Sequence, residues 1–298
     1  MKRILVVLAA LVLTGCGKIQ LDDQDEVVKQ VADTMASVDD AGGDSSGTLA
    51  FIPMDAGKSF RDWNRSFLDQ FSPISSASAA ACSSTYSFSC TSESLVRTLS
   101  CEVLGILPVN GTVTLTMYDG SSASVGCSGA AFSSAFNAGY SIVRQPNFTI
   151  TGARGSIQVS SSAGGQKLTK VSSGSYSWQT LGVNRKIVTA AGRTIVDIDT
   201  YTTSNIGITG TSRANRVLNG GELAIKHNIA GYTTYLKPEN VTWSRSTCTC
   251  PVSGKWTGRV EGSNETDDFT VEITGCGTGK ITVEGESEDI TFDRCAGV

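Results

Sequence analysis

From Thr112 onward, apolar and polar residues alternate with a period of two, which is typical of strands that bury one face. After a first strand over Thr112 to Tyr118, further predicted strands run over Phe148 to Thr151, Ser156 to Ser160, Leu168 to Val171, Ser175 to Leu181, Lys186 to Thr189, Thr194 to Thr203, Ile206 to Thr211, Gly221 to Ile229 and Thr233 to Leu236. Four more are centred on Trp256 and Val260, on Phe269, Val271 and Ile273, on Ile281 and Val283, and on Ile290 and Phe292. Long helices do not alternate with these strands, so the pattern excludes a parallel doubly wound sheet.

The first alternating segment predicts a hairpin around Asp119-Gly120. A two-residue loop would mix apolar and polar residues on each face, whereas a loop of about three or five residues keeps one apolar face. The odd-numbered loop pairs Met117 with Ala123, Leu115 with Val125 and Val113 with Cys127.

Three short helices are predicted before this region. The first follows the capping-box spacing of Asp23 and Glu26, and its apolar stripe is Val27, Val31, Met35 and Val38. The second covers Ser59 to Phe71, with the aromatic stripe Phe60, Trp63, Phe67 and Phe71. The third covers Ser92 to Leu104, with the stripe Leu95, Leu99 and Val103. The predicted fold class is therefore α+β and mainly β: short N-terminal helices followed by an antiparallel meander sheet, a sandwich or an open barrel.

The N-terminus has the pattern of an export signal. Lys2 and Arg3 precede an apolar run from Ile4 to Leu13, and small residues follow it. A helix of this run is about 15 Å long, roughly half the hydrocarbon thickness of a bilayer, so a transmembrane anchor is excluded. The segment Leu13-Thr14-Gly15-Cys16 resembles the lipobox of bacterial lipoprotein precursors. The resemblance implies cleavage after Gly15, lipidation of Cys16, and attachment of the protein to the membrane through that lipid.

The same resemblance indicates the location and the organisation of the chain. Gly17 stands where an Asp signals inner-membrane retention in many Gram-negative lipoproteins, which favours the outer membrane, facing either the periplasm or the cell surface. Residues 1–15 are then the signal peptide, and 16–56 form a tether with the first amphipathic helix. Residues 57–298 form a disulfide-stapled β-rich domain, in which 247–298 is a possible C-terminal β subdomain.

The cysteines support an exported domain. Eight remain besides Cys16: Cys82, Cys90, Cys101, Cys127, Cys248, Cys250, Cys276 and Cys295. An even number in an oxidising compartment predicts four disulfides. The last four could also bind zinc, but Cys-x-Cys is closer than the usual ligand spacing. On one strand the Cys248 and Cys250 sulfurs are too far apart to bond each other, so each is expected to pair with Cys276 or Cys295, on the face opposite the apolar side unless Gly275 forms a bulge.

Charge and motifs exclude several function classes. The chain has 24 basic and 28 acidic residues, and loss of Lys2 and Arg3 widens the acidic excess, which argues against nucleic acid as a partner. A single histidine, His227, lies in an alternating strand, and no Gly-x-Ser-x-Gly sequence accompanies it. No cofactor or metal site is predicted.

The remaining candidates are carboxylates and aromatic residues. Asp197 and Asp199 lie two apart on one strand face, a spacing that suits calcium, a glycosidic bond or an ordinary solvated face. Tyr176, Trp178 and Tyr201 are candidate binding residues, because exposed rings on a sheet could stack on sugars or contact a protein. The sequence favours a non-enzymatic envelope protein that binds another envelope protein or a polysaccharide. The alternatives are a carboxylate-dependent hydrolase of peptidoglycan or exported polysaccharide, and a purely structural surface protein.

Overall fold

The computed structural model describes residues 87–90, 94–103, 107–125, 137–152, 155–210, 216–243, 251–262 and 266–291. The lipobox, the tether, the helix predicted there and the helix predicted over Ser59 to Phe71 lie outside these residues. In the described part of the chain every regular element is a strand, and these strands pair in antiparallel fashion. The mainly β prediction is therefore confirmed.

Within the described ranges, fifteen strands form one sheet. They are β1 (Ser87–Cys90), β2 (Ser94–Val103), β3 (Leu107–Tyr118), β4 (Ser141–Gly152), β5 (Gly155–Ser172), β6 (Ser175–Thr189), β7 (Thr194–Ser204), β8 (Ile206–Thr209), β9 (Val217–Asn219), β10 (Glu222–His227), β11 (Tyr232–Trp243), β12 (Pro251–Glu261), β13 (Thr266–Gly275), β14 (Thr278–Val283) and β15 (Glu286–Thr291).

The sheet is a meander in which most strands pair with their neighbours along the chain. The main order is β1 to β7 and then β10 to β15, while β8 pairs with β6 and β9, and β9 also pairs with β11. The registers explain these extra pairings. Strands β7 and β8 both pair with β6 and are separated only by Asn205, and strands β9 and β10 both pair with β11 and are separated only by Gly220-Gly221. Each of these two pairs thus acts as one interrupted strand, and the order of the meander is unchanged.

One face of the sheet supplies the core. On β3 the buried side chains are Val109, Val113, Leu115 and Met117, and on β13 they are Phe269, Val271 and Ile273. Buried side chains from β2 to β14 belong to one hydrophobic cluster, so these strands share a core. We call this side the core face and the other side the outer face.

The helix predicted over Ser92 to Leu104 is wrong, because this segment forms strand β2. Leu95 and Leu99 are buried on the core face, opposite Leu115 and Gly111 of β3. A spacing of four residues returns a side chain to the same face in a helix and in a strand, so the stripe could not distinguish them.

The predicted strands are present, but some of them are parts of longer strands. Ser156 to Ser160 and Leu168 to Val171 both belong to β5, and Ser175 to Leu181 and Lys186 to Thr189 both belong to β6. The register between β5 and β6 shifts at Gly165, which pairs with Gly182. Gly165 has a φ of 77°, and a bulge at this point lets both strands continue where the sequence suggested turns.

The hairpin around Asp119 has an odd-numbered loop, but its predicted register is wrong. Tyr118 bridges Ser124, and the Val125 amide donates to the Met117 carbonyl. Met117 therefore lies opposite Val125 and not opposite Ala123 as predicted. The Asp119 carboxylate accepts from the Ser121 amide at 2.8 Å and the Ala123 amide at 2.9 Å, which widens the loop. Beyond this bridge, the long partner of β3 is β4 rather than the returning segment.

Candidate functional site

The three aromatic candidates lie on opposite faces of the sheet. Tyr176 and Trp178 are 5% and 3% exposed and belong to the hydrophobic core. Their rings are therefore unavailable to a ligand in solvent. Tyr201 lies on the outer face of β7 and is half-buried. Asp197, Asp199 and Tyr201 are successive outer-face positions of this strand, so the structure places these three candidates in one row.

Tyr201 belongs to a group that we call the Tyr–Arg cluster. In register across four strands lie Tyr201, Ala224, Tyr235 and Arg259. Ala224 is fully buried although it lies on the outer face, which requires the side chains beside it to cover it. The Arg259 guanidinium carbon lies 3.8 Å from the centroid of the Tyr235 ring, a cation–π geometry.

Two carboxylates fix the arginine of this cluster. Arg259 Nη1 lies 2.8 Å from Glu222 Oε2, and its Nε lies 2.7 Å from Glu261 Oε1. Glu222 Oε1 also accepts from the Thr203 hydroxyl at 2.6 Å. Burial alone would raise the pKa of Glu222, but the hydrogen bonds from Thr203 and Arg259 lower it below its ordinary value. Burial raises the pKa of Tyr235, and the neighbouring Glu261 carboxylate raises it further. The cluster is therefore a preorganised arrangement of rings and charges on the outer face.

Asp197 and Asp199 share the same hydrogen-bond donors. Asn184 Nδ2 lies 2.8 Å from Asp197 Oδ1 and 2.8 Å from Asp199 Oδ1. Asn228 Nδ2 also donates to both, at 3.1 Å to Asp197 Oδ1 and 2.8 Å to Asp199 Oδ2. Lys186 Nζ lies 3.2 Å from Asp197 Oδ2. Two amides, from β6 and from the turn after β10, thus bridge the two aspartates of β7, and the Lys186 ammonium pairs with Asp197 alone.

The pKa of Asp197 is lowered. Desolvation on burial is the largest single influence and raises it, but the hydrogen bonds from Asn184, Asn228 and Lys186 together outweigh that effect. Asp197 is therefore stabilised as a carboxylate that accepts hydrogen bonds. A general acid in glycoside hydrolysis requires the opposite shift, because it must hold a proton until the leaving group takes it.

Among the described side chains, the outer face of β2 to β5 has a region without charge, bordered by Lys167 of β5 opposite Val143; we call this region the neutral tract. Its members are Ser94, Val96, Thr98 and Ser100 of β2, Asn110, Thr112, Thr114 and Thr116 of β3, Val143, Gln145, Asn147, Thr149 and Thr151 of β4, and Ser156, Gln158 and Ser160 of β5. Except for two valines, they carry hydroxyl or amide groups. Thr98, Ser100, Asn110, Gln145, Asn147 and Gln158 are among the exposed ones.

The outer face near the C-terminus has the opposite character. Across β11 to β15 one register row reads Glu239, Lys255, Glu272, Lys280 and Asp289, with alternating charge signs. The first pair is in contact, with Lys255 Nζ 3.0 Å from Glu239 Oε2. We call this row the charge ladder. Opposite charges on facing strand positions stabilise an antiparallel sheet and favour its register.

His227 has a structural environment. Its imidazole stacks on the Tyr232 ring, its register partner at the end of β10, with a centroid distance of 4.2 Å. Burial lowers the pKa of His227 from 6.5 to about 4, so the ring is neutral at physiological pH. Among the described residues no group of three or more His, Cys, Asp or Glu side chains is placed to hold a metal ion.

The structure describes few of the predicted disulfide positions. Cys90 and Cys101 lie on β1 and β2, and Cys276 lies exposed in the turn between β13 and β14, after a register shift next to Gly275. The Cys276 sulfur is disulfide-bonded. The predicted pairings therefore stay predictions. In the described ranges no helix has both the length and the hydropathy to cross a membrane.

Sequence reasoning missed the partners of the two candidate groups. Asn184, Asn228, Ala224 and Arg259 carry no motif, and only the strand registers bring them beside the aspartates and tyrosines. The alternating signs of the charge ladder could have been detected by aligning the four C-terminal predicted strands. No protein-family model, no curated protein and no solved structure matches the chain.

Proposed function

We propose that this protein is a lipid-anchored protein of the cell envelope that binds another envelope protein without catalysing a reaction. The lipid is attached to Cys16, on the strength of the Leu13-Thr14-Gly15-Cys16 sequence. One acyl chain alone holds a protein to a membrane weakly, whereas several chains on one residue give a lasting attachment. The β domain is thereby kept beside the membrane, where its partner is met.

The Tyr–Arg cluster carries the proposal of a binding function. Tyrosine and arginine are enriched among the residues that contribute most to protein–protein binding, because large rings and planar guanidinium groups bury much area with few rotatable bonds. In this cluster Glu222 and Glu261 hold Arg259 against Tyr235, so little side-chain freedom remains to be lost on binding. Strand residues from β7 to β12 support it, which gives a rigid base.

A hydrolase is the less supported alternative. Its candidates, Asp197 and Asp199, both accept hydrogen bonds from Asn184 and Asn228, and the pKa of Asp197 is lowered. This arrangement stabilises negative charge on the outer face and provides no proton for a leaving group. The hydrogen bonds instead connect β6, β7 and the turn after β10.

The experiment measures binding to a cell-envelope fraction with the full-length lipidated chain in detergent micelles. Proteins captured by chemical cross-linking are quantified for the native chain and for Tyr201→Ala, with Lys280→Ala on the outer face of β14 as the matched control. Loss of a central aromatic contact costs about 2 kcal/mol, so capture of one defined partner should fall about thirtyfold with Tyr201→Ala and stay unchanged with Lys280→Ala.

Two results would contradict this function. Equal capture by Tyr201→Ala and the native chain would exclude the Tyr–Arg cluster as the binding surface, provided that both have the same melting temperature. Hydrolysis of purified sacculi by the native chain, lost in Asp197→Asn and retained in Tyr201→Ala, would favour the hydrolase.

A further inference from the structure

We propose that the neutral tract is a second binding surface and that it takes an uncharged polysaccharide chain. This goes beyond the protein partner of the Tyr–Arg cluster, because it concerns other strands and a different class of ligand. It rests on the composition, the exposure and the register of outer-face residues on β2 to β5.

The absence of charge over sixteen neighbouring outer-face positions distinguishes the tract from the charge ladder. Solvent-facing surfaces ordinarily intersperse Lys, Arg, Asp and Glu, as the charge ladder does on β11 to β15. The tract instead presents Ser, Thr, Asn and Gln at nearly every position. A surface without charge has no long-range attraction for anionic polymers or for a charged protein patch. Its complement is a neutral ligand.

Hydroxyl and amide side chains match the chemistry of a neutral sugar. Each hydroxyl donates one hydrogen bond and accepts others, and each amide offers two donors and a carbonyl acceptor. A sugar presents the same kind of mixed donors and acceptors around its ring. Neutral groups also lose less hydration free energy than ions when a ligand covers them, so many small contacts can add up to binding.

The register arranges these groups in rows that cross the strands. Thr98, Thr112, Asn147 and Ser160 are successive partners from β2 to β5. A parallel row next to it contains Ser100, Asn110, Thr149 and Gln158, and it ends at Lys186 of β6, the register partner of Gln158. Neighbouring strands are about 4.8 Å apart, a repeat of the order of one sugar unit. A polysaccharide lying across the strands would therefore meet a donor or acceptor at each unit.

An aromatic residue adjoins the tract. Tyr118 continues the outward series of β3 after Thr116 and is half-buried. Sugar rings have an apolar face that packs on aromatic side chains, so Tyr118 adds an apolar contact to the hydrogen-bonding rows. Ser94 Oγ lies 2.6 Å from Oγ1 of the buried Thr116 beside it, which fixes the Ser94 hydroxyl.

Affinity electrophoresis of the full-length chain in detergent micelles tests the proposal. The gels contain one of four neutral polymers, namely dextran, laminarin, galactomannan and hydroxyethyl cellulose, or dextran sulfate as the charged counterpart of dextran. The key variant is Asn147→Asp, a nearly isosteric change at an exposed position in the centre of the tract. The control is Asn205→Asp, the same change at an exposed residue between β7 and β8.

We expect at least one neutral polymer to retard the native chain and dextran sulfate to have no specific effect. Asn147→Asp should weaken that retardation about tenfold, because the carboxylate lacks the amide donors and loses hydration when the polymer covers it, while Asn205→Asp should change it less than twofold. Tyr201→Ala should bind the polymer normally, which separates this surface from the Tyr–Arg cluster.

Several outcomes would overturn the assignment. Failure of all four neutral polymers to retard the chain excludes an uncharged glycan, and stronger retardation by dextran sulfate indicates an anionic ligand. Equal retardation of Asn147→Asp and the native chain places binding elsewhere on the molecule. Loss of cross-linked protein partner in Asn147→Asp would assign the tract to the protein interface instead. None of these results depends on whether Tyr201→Ala abolishes protein capture. The experiments can therefore refute polysaccharide binding by the neutral tract and protein binding by the Tyr–Arg cluster independently of each other.

Discussion

Protonation of His227 should make the fold unstable in mild acid. Its imidazole is buried against Tyr232, and burial lowers its pKa from 6.5 to about 4. Between these two values the unfolded chain binds a proton that the folded chain does not, so stability rises with pH in this window. The stability that the neutral, buried His227 ring provides is fully present above pH 6.5. It decreases as the pH falls below 6.5, and the decrease ends near pH 4.

The size of the effect follows from the two pKa values. At pH 5 the unfolded histidine is almost fully protonated and the folded one is mostly neutral, which corresponds to about 2 kcal/mol of lost stability. The limit below pH 4 is about 3 kcal/mol, and both are upper bounds because the ring is partly exposed. The carboxylates Asp119, Asp197, Glu222 and Glu239 have pKa values below their ordinary 3.8 and 4.5, so most of their effect on stability falls below pH 5 and is common to both proteins compared.

Urea unfolding of the native chain and His227→Phe at pH 7.5 and pH 5.0 measures this contribution. Phenylalanine keeps a ring against Tyr232 but does not titrate. The native chain should therefore lose up to about 2 kcal/mol more than His227→Phe between the two pH values. Equal losses in the two proteins would refute the reasoning, since every other titrating group is common to both.

Three further predictions concern the backbone, the charge ladder and the anchor. Gly165 and Gly192 share a φ of 77°. A Cβ on Gly165 would lie 2.0 Å from the Arg144 carbonyl oxygen, whereas no other heavy atom lies within 4 Å of a Cβ on Gly192. Gly192→Ala should cost about 1 kcal/mol and Gly165→Ala at least about 3 kcal/mol by urea unfolding; similar costs would contradict a clash. Lys255→Glu places a third carboxylate between its acidic partners Glu239 and Glu272. It should lower the free energy of unfolding by about 1 kcal/mol, and by less at high salt; a loss that does not depend on salt would exclude an electrostatic cause. Cys16→Ser should abolish metabolic labelling with a fatty acid, and continued labelling would disprove the anchor.

The sequence by itself determined most of the strands and their faces. Val271 and Ile273, like Leu115 and Met117, are buried as their alternation predicted, because the side-chain period of a strand is a local property. The same local pattern could not separate helix from strand at Leu95 and Leu99. It also suggested turns at glycines that form a bulge within continuous strands.

Only the tertiary structure decided which outer-face residues lie together. Asp197 meets Asn184 and Asn228, and Tyr235 meets Arg259, because the registers of neighbouring strands bring residues from different strands and turns into contact. A shift of one residue in any register would turn these side chains to the other face. Which strand pairs with which, and in what register, depends on the whole core and on the bulges within it. The alternation therefore indicates an outer face, while the groups on it that can bind a partner are assembled only by folding.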